Sequence, residues 1–313
     1  MRALLTPRTL YVCLALGVGL VPLLGPYISG LMVEVFVFAI FAMSLNLLIG
    51  YTGLLSLGHA AFFGVGAYSV VLLGVHLGLN GWIALVLAVI ISALAAAIIG
   101  FFCVRVGGIT FLMLTMAFSQ LLFAISGRWR DVTGGTDGIG NFVRPSLFGI
   151  SLDDRTALYY VIGLAFLITL FVLHRLVDSP LGSILIGIRE NEARMRAIGY
   201  PVQRFKLVCF AIAGTVAGLG GGLYAFFAAF VSSDTLHWSL SGDAVMMVIL
   251  GGAGTVFGPA VGATLFLLLK NLVSSQFEYW LLVVGGVFIV CVMFLRQGVW
   301  GYVWQRLSRR EEP

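Results

Sequence analysis

The stretch that decides the fold is GYTGLLSLGHAAFFGVGAY, residues 50–68. It is apolar enough to enter a membrane, but it contains five glycines and the polar residues Ser56 and His59. Glycine weakens a helix by about 1 kcal/mol relative to alanine, and a polar group buried in an apolar environment costs free energy unless it is hydrogen-bonded. The stretch therefore predicts a membrane-spanning segment whose helix is interrupted.

The composition of the whole chain indicates a membrane protein. Hydrophobic residues make up 60% of the chain and charged residues 10%, whereas soluble domains have about 45–50% and about 25%. Apolar runs of about 18 residues or more recur along the sequence, and a helix needs this length to cross a bilayer. We predict an all-α polytopic membrane protein with about 8–10 transmembrane helices and glycine-rich broken or re-entrant segments.

The predicted spans follow the apolar runs. They cover roughly residues 9–25, 29–49, 54–74, 81–104, 108–126, 157–174, 207–230, a glycine-interrupted pair within 243–273, and 279–295. The first run follows Arg2 and Arg8 and leads straight into another span without a clear cleavage site, so we interpret it as an uncleaved first helix. The chain is predicted to be one transmembrane domain, residues 1–313, with N-terminal helices over 9–126 and C-terminal helices over 157–300.

Charge predicts the side of the membrane that each loop faces. The loop 175–206 has six basic and three acidic residues, and the C-terminal tail is also basic. The loop 231–243 has Asp234 and Asp243 and no Lys or Arg. Because Lys and Arg concentrate in cytoplasmic loops, we predict that 175–206 and both termini are cytoplasmic, whereas 127–156 and 231–243 are external. About ten crossings satisfy these assignments if 243–273 crosses twice or re-enters.

The sequence argues against an enzyme. The P-loop pattern G-x-x-x-x-G-K-[ST] is absent, and the two lysines, Lys206 and Lys270, follow no such glycine loop. No H-E-x-x-H occurs, and Cys13, Cys103, Cys209 and Cys291 stand singly in apolar segments, as small buried side chains do. We predict no catalytic residue, no metal site and no cofactor bound by this chain.

Two glycine-rich segments are candidates for a translocation path. Gly50, Gly53, Gly58, Gly64 and Gly66 crowd the first, and GGAGTVFGPAVG, residues 251–262, forms the second. Paired helix breaks in a membrane bundle often line a path, but glycines also permit close helix packing. The polar side chains near the first break favour a path, and the predicted path residues are Asn46, Ser56, Gly58, His59 and Gly64. For His59, a hydrogen bond that holds the broken backbone is the favoured role.

Glu34 is an acidic residue near the outer end of the second predicted span. It is either an interfacial residue or a functional one. One such acid is not the set of buried carboxylates that ion-driven carriers pair with a coupling ion.

The loop 175–206 contains a predicted helix over residues 180–198. Ser179-Pro180 supplies an N-cap and a proline at the first helical position, and Gly199 supplies the stop. Ile184, Ile188, Met195 and Ile198 are predicted to share one face. That face lies either on the bilayer or the protein's own spans, or in a groove of a soluble partner.

Four motifs, in order, resemble one known family. They are SLNLLIGYTGLLSLGHAAFFGVGAY (44–68), TGGTDGIG (133–140), RENEARMRAIGY with KLVCFAIAGTVAGLGGGLYA (189–200 and 206–225), and GGAGTVFGPAVGA (251–263). The pattern resembles the permease subunits of branched-chain amino-acid ABC transporters, in particular the LivM type, over roughly residues 30–295. Relatives that resemble this pattern carry urea or other small amides, so the alternative is a permease for such a substrate, or an ion-coupled secondary carrier.

The resemblance implies partners and sites. It implies a second homologous permease subunit, two cytoplasmic P-loop ATPase subunits that bind ATP and Mg, and a periplasmic substrate-binding protein, all at a bacterial inner membrane. The helix 180–198, with Glu190, Glu192, Ala193 and Gly199, resembles the loop that couples to the ATPase. The loop with Thr133, Gly134, Gly135, Thr136, Asp137 and Gly138 would face the binding protein, although Asp137 in this context is equally a turn residue. The continuation NFVRP, residues 141–145, departs from the Gly-Ile-Pro-like sequence that the resemblance leads one to expect.

Overall fold

The computed structural model describes Tyr11, Leu14 and residues 17–140, 142–147, 150–274, 279–294 and 297–302. Within these residues the chain is helical almost throughout, and the strands are the antiparallel two-residue pair Ser146–Leu147 and Ile150–Ser151. The predicted all-α membrane fold is therefore confirmed. The predictions that concern the two ends of the chain, residues 1–10 and 303–313, and Cys13 lie outside the described residues.

Within the described part of the chain, six helices are long and apolar enough to cross a membrane. They are α1 (Pro26–Asn46, extended to Thr52 by a π-helical segment), α2 (Ala60–Leu77), α3 (Gly81–Cys103), α4 (Gly108–Arg128), α5 (Arg155–Val177) and α8 (Val202–Ala228). Between α5 and α8 lie the short helices α6 (Pro180–Glu190) and α7 (Glu192–Ala197). Three shorter apolar helices follow, α9 (Trp238–Gly251), α10 (Gly258–Ser274) and α11 (Trp280–Phe294). Together with the helical residues 17–20, these elements match the predicted order of spans.

Helix α1 forms the centre of the bundle. It packs against α5, α8, α9 and α10, and nearly all of its side chains from Val33 onward are buried. Aromatic rings make the contacts: Phe36 stacks on Phe166 of α5 at 5.2 Å, and Phe38 stacks on Phe63 of α2 at 5.9 Å. A central helix without a polar face is what an interior position in a membrane bundle requires.

Glycines of α8 allow three helices to touch. A Cβ added at Gly218 would overlap the side chain of Ser92 in α3, and one added at Gly221 would overlap the carbonyl of Phe63 in α2. Small residues permit this close backbone approach in membranes. The glycines of α8 therefore serve close helix packing.

The bundle has two ends. At the loop end, the described residues between α4 and α5 cover the end of α2 and the start of α3: Gly74 lies beside Phe142, and Trp82 Nε1 donates to the Ser146 carbonyl at 3.0 Å. At the opposite end, which we call the Arg-rich end, α6 and α7 (residues 178–201) lie against the turns that follow α1 and α9. The outer faces of α3 and α5 carry exposed Ile, Leu and Phe side chains, as a lipid-facing surface does.

Candidate functional site: two broken helices and their junction

The first helix break spans residues 53–59. Helix α1 ends in the π-helical segment, the chain turns at Gly53 (φ 72°), and it then re-enters the bundle without helical structure. Gly58 lies so close to α4 that an added Cβ would overlap the carbonyl of Thr115. At 1.5 Å per residue, Thr115 is about 10 Å from the start of α4, so α2 begins about 10 Å inside the bundle.

His59 fastens this break to α1. Its Nε2 lies 2.8 Å from Ser44 Oγ, and the Ser44 hydroxyl donates to the Phe41 carbonyl at 2.6 Å. Because the hydroxyl proton is engaged by that carbonyl, Nε2 is the protonated nitrogen and donates to Ser44. The imidazole is fully buried, stacks on Phe41 at 5.5 Å, and its Nδ1 has no hydrogen-bond partner. The favoured sequence interpretation, a hydrogen bond that holds the broken backbone, agrees with this geometry.

A second break, which the sequence did not predict, spans residues 229–237. After α8 the chain passes through Ala229 (φ 51°) and a 3₁₀ turn, Ser233–Leu236, before α9 begins at Trp238. Ser119 donates to the Leu236 carbonyl at 2.7 Å. At 1.5 Å per residue, Ser119 is about 16 Å from the start of α4, so this break also reaches the interior.

The prediction of one surface loop over 231–243 is therefore wrong, whereas the external side assigned to these residues stays a prediction. Asp243 lies within α9, and residues 233–236 pack against α2 and α4. The polar composition indicated a surface loop, but the groups are satisfied inside the protein: Ser119 binds the Leu236 carbonyl, and Thr235 Oγ1 donates to the Ser232 carbonyl at 2.8 Å.

The two breaks meet at the first turns of the helices that follow them. The backbone N–H of Ala60, the first residue of α2, donates to Ser241 Oγ in α9 at 2.8 Å. Gly64 lies against Leu236, where an added Cβ would overlap that side chain. Two helices thus start inside the membrane bundle, where their N-terminal ends favour negative charge, and they meet over their first turns.

The third interruption joins α9 to α10 and lies at the Arg-rich end. Asn46 holds it: the Gly254 N–H donates to Asn46 Oδ1 at 2.9 Å, and Asn46 Nδ2 donates to the Thr255 carbonyl at 2.8 Å. Gly50 lies so close to Gly254 that an added Cβ would overlap its backbone. The predicted glycine-interrupted pair within 243–273 is confirmed, and the two glycine-rich segments of the sequence are in contact.

Arg189 of α6 is the residue that sequence reasoning missed. Its guanidinium Nη1 donates to the Gly50 carbonyl, and a Cβ added at Gly254 would lie 3.0 Å from the same nitrogen. Its side chain also contacts the position of Gly53, where a Cβ would lie 3.3 Å from Arg189 Cγ. One side chain of the segment between α5 and α8 thus touches both glycine-rich turns.

Comparison with protein families identifies the chain. The family described as branched-chain amino acid transport system, permease component, matches residues 27–292. The chain belongs to this family. It is a multi-pass membrane permease component of a transport system, and the predicted LivM-type resemblance is confirmed.

Individual relatives of this chain are permease proteins as well. It is 30% identical over 286 residues to the high-affinity branched-chain amino acid transport system permease protein LivM of Salmonella typhimurium, which covers 84% of this chain and 67% of the relative. It is 25% identical over 278 residues to the probable LivM permease protein of Methanocaldococcus jannaschii, covering 75% and 78%. It is 26% identical over 273 residues to the ribose import permease protein RbsC of Escherichia coli, covering 82% and 81%. No solved structure matches the chain.

The permease's predicted coupling helix is two helices. The prediction of one helix over 180–198 is wrong because Asn191 is extended (φ −156°, ψ 97°), and its side chain accepts from the Arg194 N–H to cap α7. The predicted N-cap Ser179 and N1 proline are found, although Ser179 Oγ donates to the Leu176 carbonyl at 2.6 Å instead of capping α6. The break also splits the predicted apolar face: Ile188 is buried, whereas Ile198 is 63% exposed.

Glu192 binds two cations of the permease itself. Its carboxylate lies 2.6 Å from Lys206 Nζ and 2.5 Å from Arg196 Nη2. Partial burial acts to raise the pKa of Glu192, but the hydrogen bond and charge of Lys206 and the charge of Arg196 outweigh it and hold the pKa below its ordinary value. The pair with Lys206 attaches α7 to the N-terminal part of α8, whereas the pair with Arg196 lies within α7. A contact of Glu192 with an ATPase stays a prediction.

The remaining coupling residues are exposed. Glu190, Ala193 and Gly199 (φ 93°) lie on the surface of the Arg-rich end, near the exposed side chains of Ile186 and Tyr200. This surface combines charge with apolar groups, as a docking surface for a soluble protein does.

The predicted external loop is a folded turn at the loop end. Thr133 Oγ1 lies 2.5 Å from the Ser126 carbonyl and 2.7 Å from the Trp129 carbonyl, and Gly134, Gly135 and Gly138 have φ values of 71°, 65° and 75°. The next residue, Ile139, forms a backbone bridge with Val231. Thr136 and Asp137 are left exposed to solvent at the tip.

The predicted path residues are buried from solvent in this conformation. Ser56 and His59 are fully buried, and Asn46 is 3% exposed. Four of the five, Ser56, Gly58, His59 and Gly64, belong to the first break and the helix that follows it, whereas Asn46 lies at the junction with Gly254. Their part in a translocation path stays a prediction.

Proposed function

We propose that this chain is the membrane-spanning permease subunit of an ABC importer that carries branched-chain and other hydrophobic amino acids. The observation that carries the proposal is the junction of Arg189 with Gly50 and Gly254, because it links a surface suited to a soluble partner with both glycine-rich turns. The names of the LivM relatives supply the substrate class.

The proposal includes the partner subunits. A second homologous permease completes the membrane part, two P-loop ATPases bind ATP and Mg on the cytoplasmic side, and a binding protein delivers the amino acid to the loop end. Closure of the ATPases moves α6 and α7, and the movement reaches the turns after α1 and α9 through Arg189. The interior starts of α2 and α9 then shift against each other, which opens the path to alternate sides.

The proposed orientation places the Arg-rich end in the cytoplasm of a bacterial inner membrane. The six basic and three acidic residues of the loop 175–206 support it, since the loop 127–156 has four of each. A membrane-impermeant maleimide should label Thr136→Cys in intact spheroplasts but label Ala193→Cys only after permeabilisation. The reverse pattern would overturn the orientation.

Uptake by the reconstituted complex tests the transport function. The permease is co-expressed with the proposed second permease and P-loop ATPases, and proteoliposomes are supplied with the binding protein, radiolabelled leucine and internal ATP. Import should require ATP and disappear when the P-loop lysine of the ATPases is replaced. Import that persists without ATPases and depends on a sodium or proton gradient would support an ion-coupled carrier instead.

Competition defines the substrate. Unlabelled leucine, isoleucine and valine should compete with labelled leucine, whereas urea and ribose should not. Ribose belongs in the panel because a ribose import permease is among the relatives of this chain. Competition by urea or ribose alone would show that the family membership holds but that the substrate class is different.

A further inference from the structure

A cavity at the loop end has a charge pattern that the coupling mechanism does not use. It has a volume of about 450 Å³ and opens between the first turns of α1 and α5 and the last turns of α8 and α10. Pockets that bind small molecules in proteins have volumes of about 300–1,000 Å³. The size of the cavity is therefore that of a site for one small ligand.

The acidic side of the cavity is Glu34. It is the ninth residue of α1, so at 1.5 Å per residue it lies about 12 Å below the start of that helix. Its side chain is partly exposed and lines the cavity, and Lys270 of α10 acts on it electrostatically. An ionised carboxylate offers about four lone-pair positions, so it can accept from a lysine and from a ligand ammonium together. An ionisable residue at this depth in a membrane protein generally marks a functional site.

The basic side of the cavity is Arg155, the first residue of α5. The other arginine of the lining, Arg144, is engaged: it donates to the carbonyls of Phe226 and Phe227 at 2.6 and 2.8 Å and lies 3.5 Å from Asp153. Arg155 lines the same cavity as Glu34 and is exposed. Guanidinium groups suit carboxylates because they donate two parallel hydrogen bonds.

The rest of the wall is mixed. Leu31, Val33, Leu158 and Phe227 form its apolar part, and Tyr27, Asn271 and Asp153, the ion-pair partner of Arg144, add polar groups. A ligand that fits all three features carries an ammonium, a carboxylate or phosphate, and an aliphatic group.

We propose that this cavity is a receiving site for a free amino acid, in which Glu34 binds the ammonium, Arg155 binds the carboxylate, and the apolar wall accepts an aliphatic side chain. The inference rests on the proposed function and adds where the amino acid first contacts the permease. A phosphoethanolamine lipid headgroup shares the ammonium and the anion, and it is the competing source of the same chemistry.

Binding of leucine and its fragments to the purified complex of permeases and ATPases tests the site. The fragments are 3-methylbutylamine, which lacks the carboxylate, and 4-methylpentanoate, which lacks the ammonium. Glu34→Gln should weaken leucine and 3-methylbutylamine about tenfold or more and leave 4-methylpentanoate unchanged, because hydrogen bonds to charged groups carry the difference. Arg155→Gln should weaken leucine and 4-methylpentanoate and spare the amine. Asp131→Asn, an exposed change at the same end but outside the cavity lining, should change none of the three.

The pattern also separates folding from recognition, since the unaffected fragment shows that each variant still has an intact cavity. Equal weakening of all three probes, or no weakening, would overturn the proposal. Binding of glycerophosphoethanolamine with the same dependence on both residues, without binding of leucine, would assign the cavity to a lipid headgroup and overturn it as well.

A measurement of leucine uptake distinguishes failure of the receiving site from failure of the proposed function. If the unaltered complex does not import leucine, the proposed function fails whatever the binding pattern. If it imports leucine, and Glu34→Gln and Arg155→Gln leave the half-saturating concentration of the loaded binding protein and the rate unchanged, the importer stands and the receiving site is refuted.

Discussion

The guanidinium of Arg189 donates to the carbonyl of Gly50, although the two residues are 139 positions apart in the chain. Gly50 in turn packs against Gly254, and Asn46 accepts from the Gly254 N–H and donates to the Thr255 carbonyl. A displacement of α6 therefore cannot leave these two turns in place without breaking a hydrogen bond. The relationship gives the segment between α5 and α8 a mechanical route to both glycine-rich turns.

Replacement of Arg189 should uncouple ATP hydrolysis from transport. Arg189→Gln removes the charged donor, so we expect leucine import to fall about tenfold or more, as loss of a charged hydrogen bond at a functional contact does. ATP hydrolysis by the complex should stay within about twofold of its normal rate, because no ATP-binding residue changes. The measurement is the amount of leucine imported per ATP hydrolysed.

Two variants control this experiment. Arg189→Lys keeps a cationic donor and should restore part of the coupling, whereas Arg204→Gln removes an exposed arginine from the start of α8 and should have no effect. Parallel loss of hydrolysis and import in Arg189→Gln would mean that the residue supports assembly or folding, not transmission.

Close backbone contacts at glycine give a second prediction. Gly58→Ala places a Cβ on the Thr115 carbonyl, and backbone cannot move aside as a flexible side chain does. Overpacking of this kind costs about 1–3 kcal/mol, so the melting temperature of the purified complex should fall. Gly127→Ala is the matched control, since no atom lies within 4 Å of its added Cβ. An equal effect of the two alanines would show that the contact with α4 does not control the result.

The sequence predicted the membrane fold because apolar length is a local property. The bounds of α3, α4 and α5 lie within about three residues of the predicted spans, and the glycines of the first break do mark an interrupted helix. The contact of Arg189 could not be predicted in this way. Its partner is distant in sequence, and every residue has a backbone carbonyl, so no pattern in the sequence marks Gly50 as the acceptor. The break at 229–237 was missed for a different reason: Ser119 of α4 satisfies the Leu236 carbonyl from another helix.

The pair of Ser44 and His59 gives a third prediction, in the form of a double-mutant cycle. Ser44→Ala leaves the buried Nε2–H of His59 without an acceptor, and this should cost about 1–3 kcal/mol of stability. His59→Phe should also cost stability because the 2.8 Å hydrogen bond is lost. The double variant should be more stable than the sum of the two losses predicts, since two apolar side chains leave no unpaired donor. Thermal unfolding of the purified complex measures all four proteins, and additive losses would show that the hydrogen bond contributes little.

The ion pairs of Glu192 predict a pH dependence of the coupling segment. A carboxyl group whose pKa is lowered in the folded state stabilises that state above its unfolded pKa, near 4.5, and the stabilisation is lost as the pH falls through the folded value. Hydrogen exchange of residues 191–206 in the complex, followed from about pH 7 to about pH 3, should therefore show constant protection at neutral pH and a loss below about pH 4.5.

Glu192→Gln identifies the group responsible for that loss. At neutral pH it leaves the ammonium of Lys206, which is 5% exposed, without its charged partner. We expect protection of residues 191–206 to drop by about 1–2 kcal/mol, less than the 3–5 kcal/mol of a fully buried pair, because the Glu192 side chain is 36% exposed. Below the folded pKa the normal protein should lose its advantage over the variant, since Glu192 is then protonated. A difference that persists unchanged at about pH 3 would mean that the substitution disturbs packing and that the ion pairs do not control this segment.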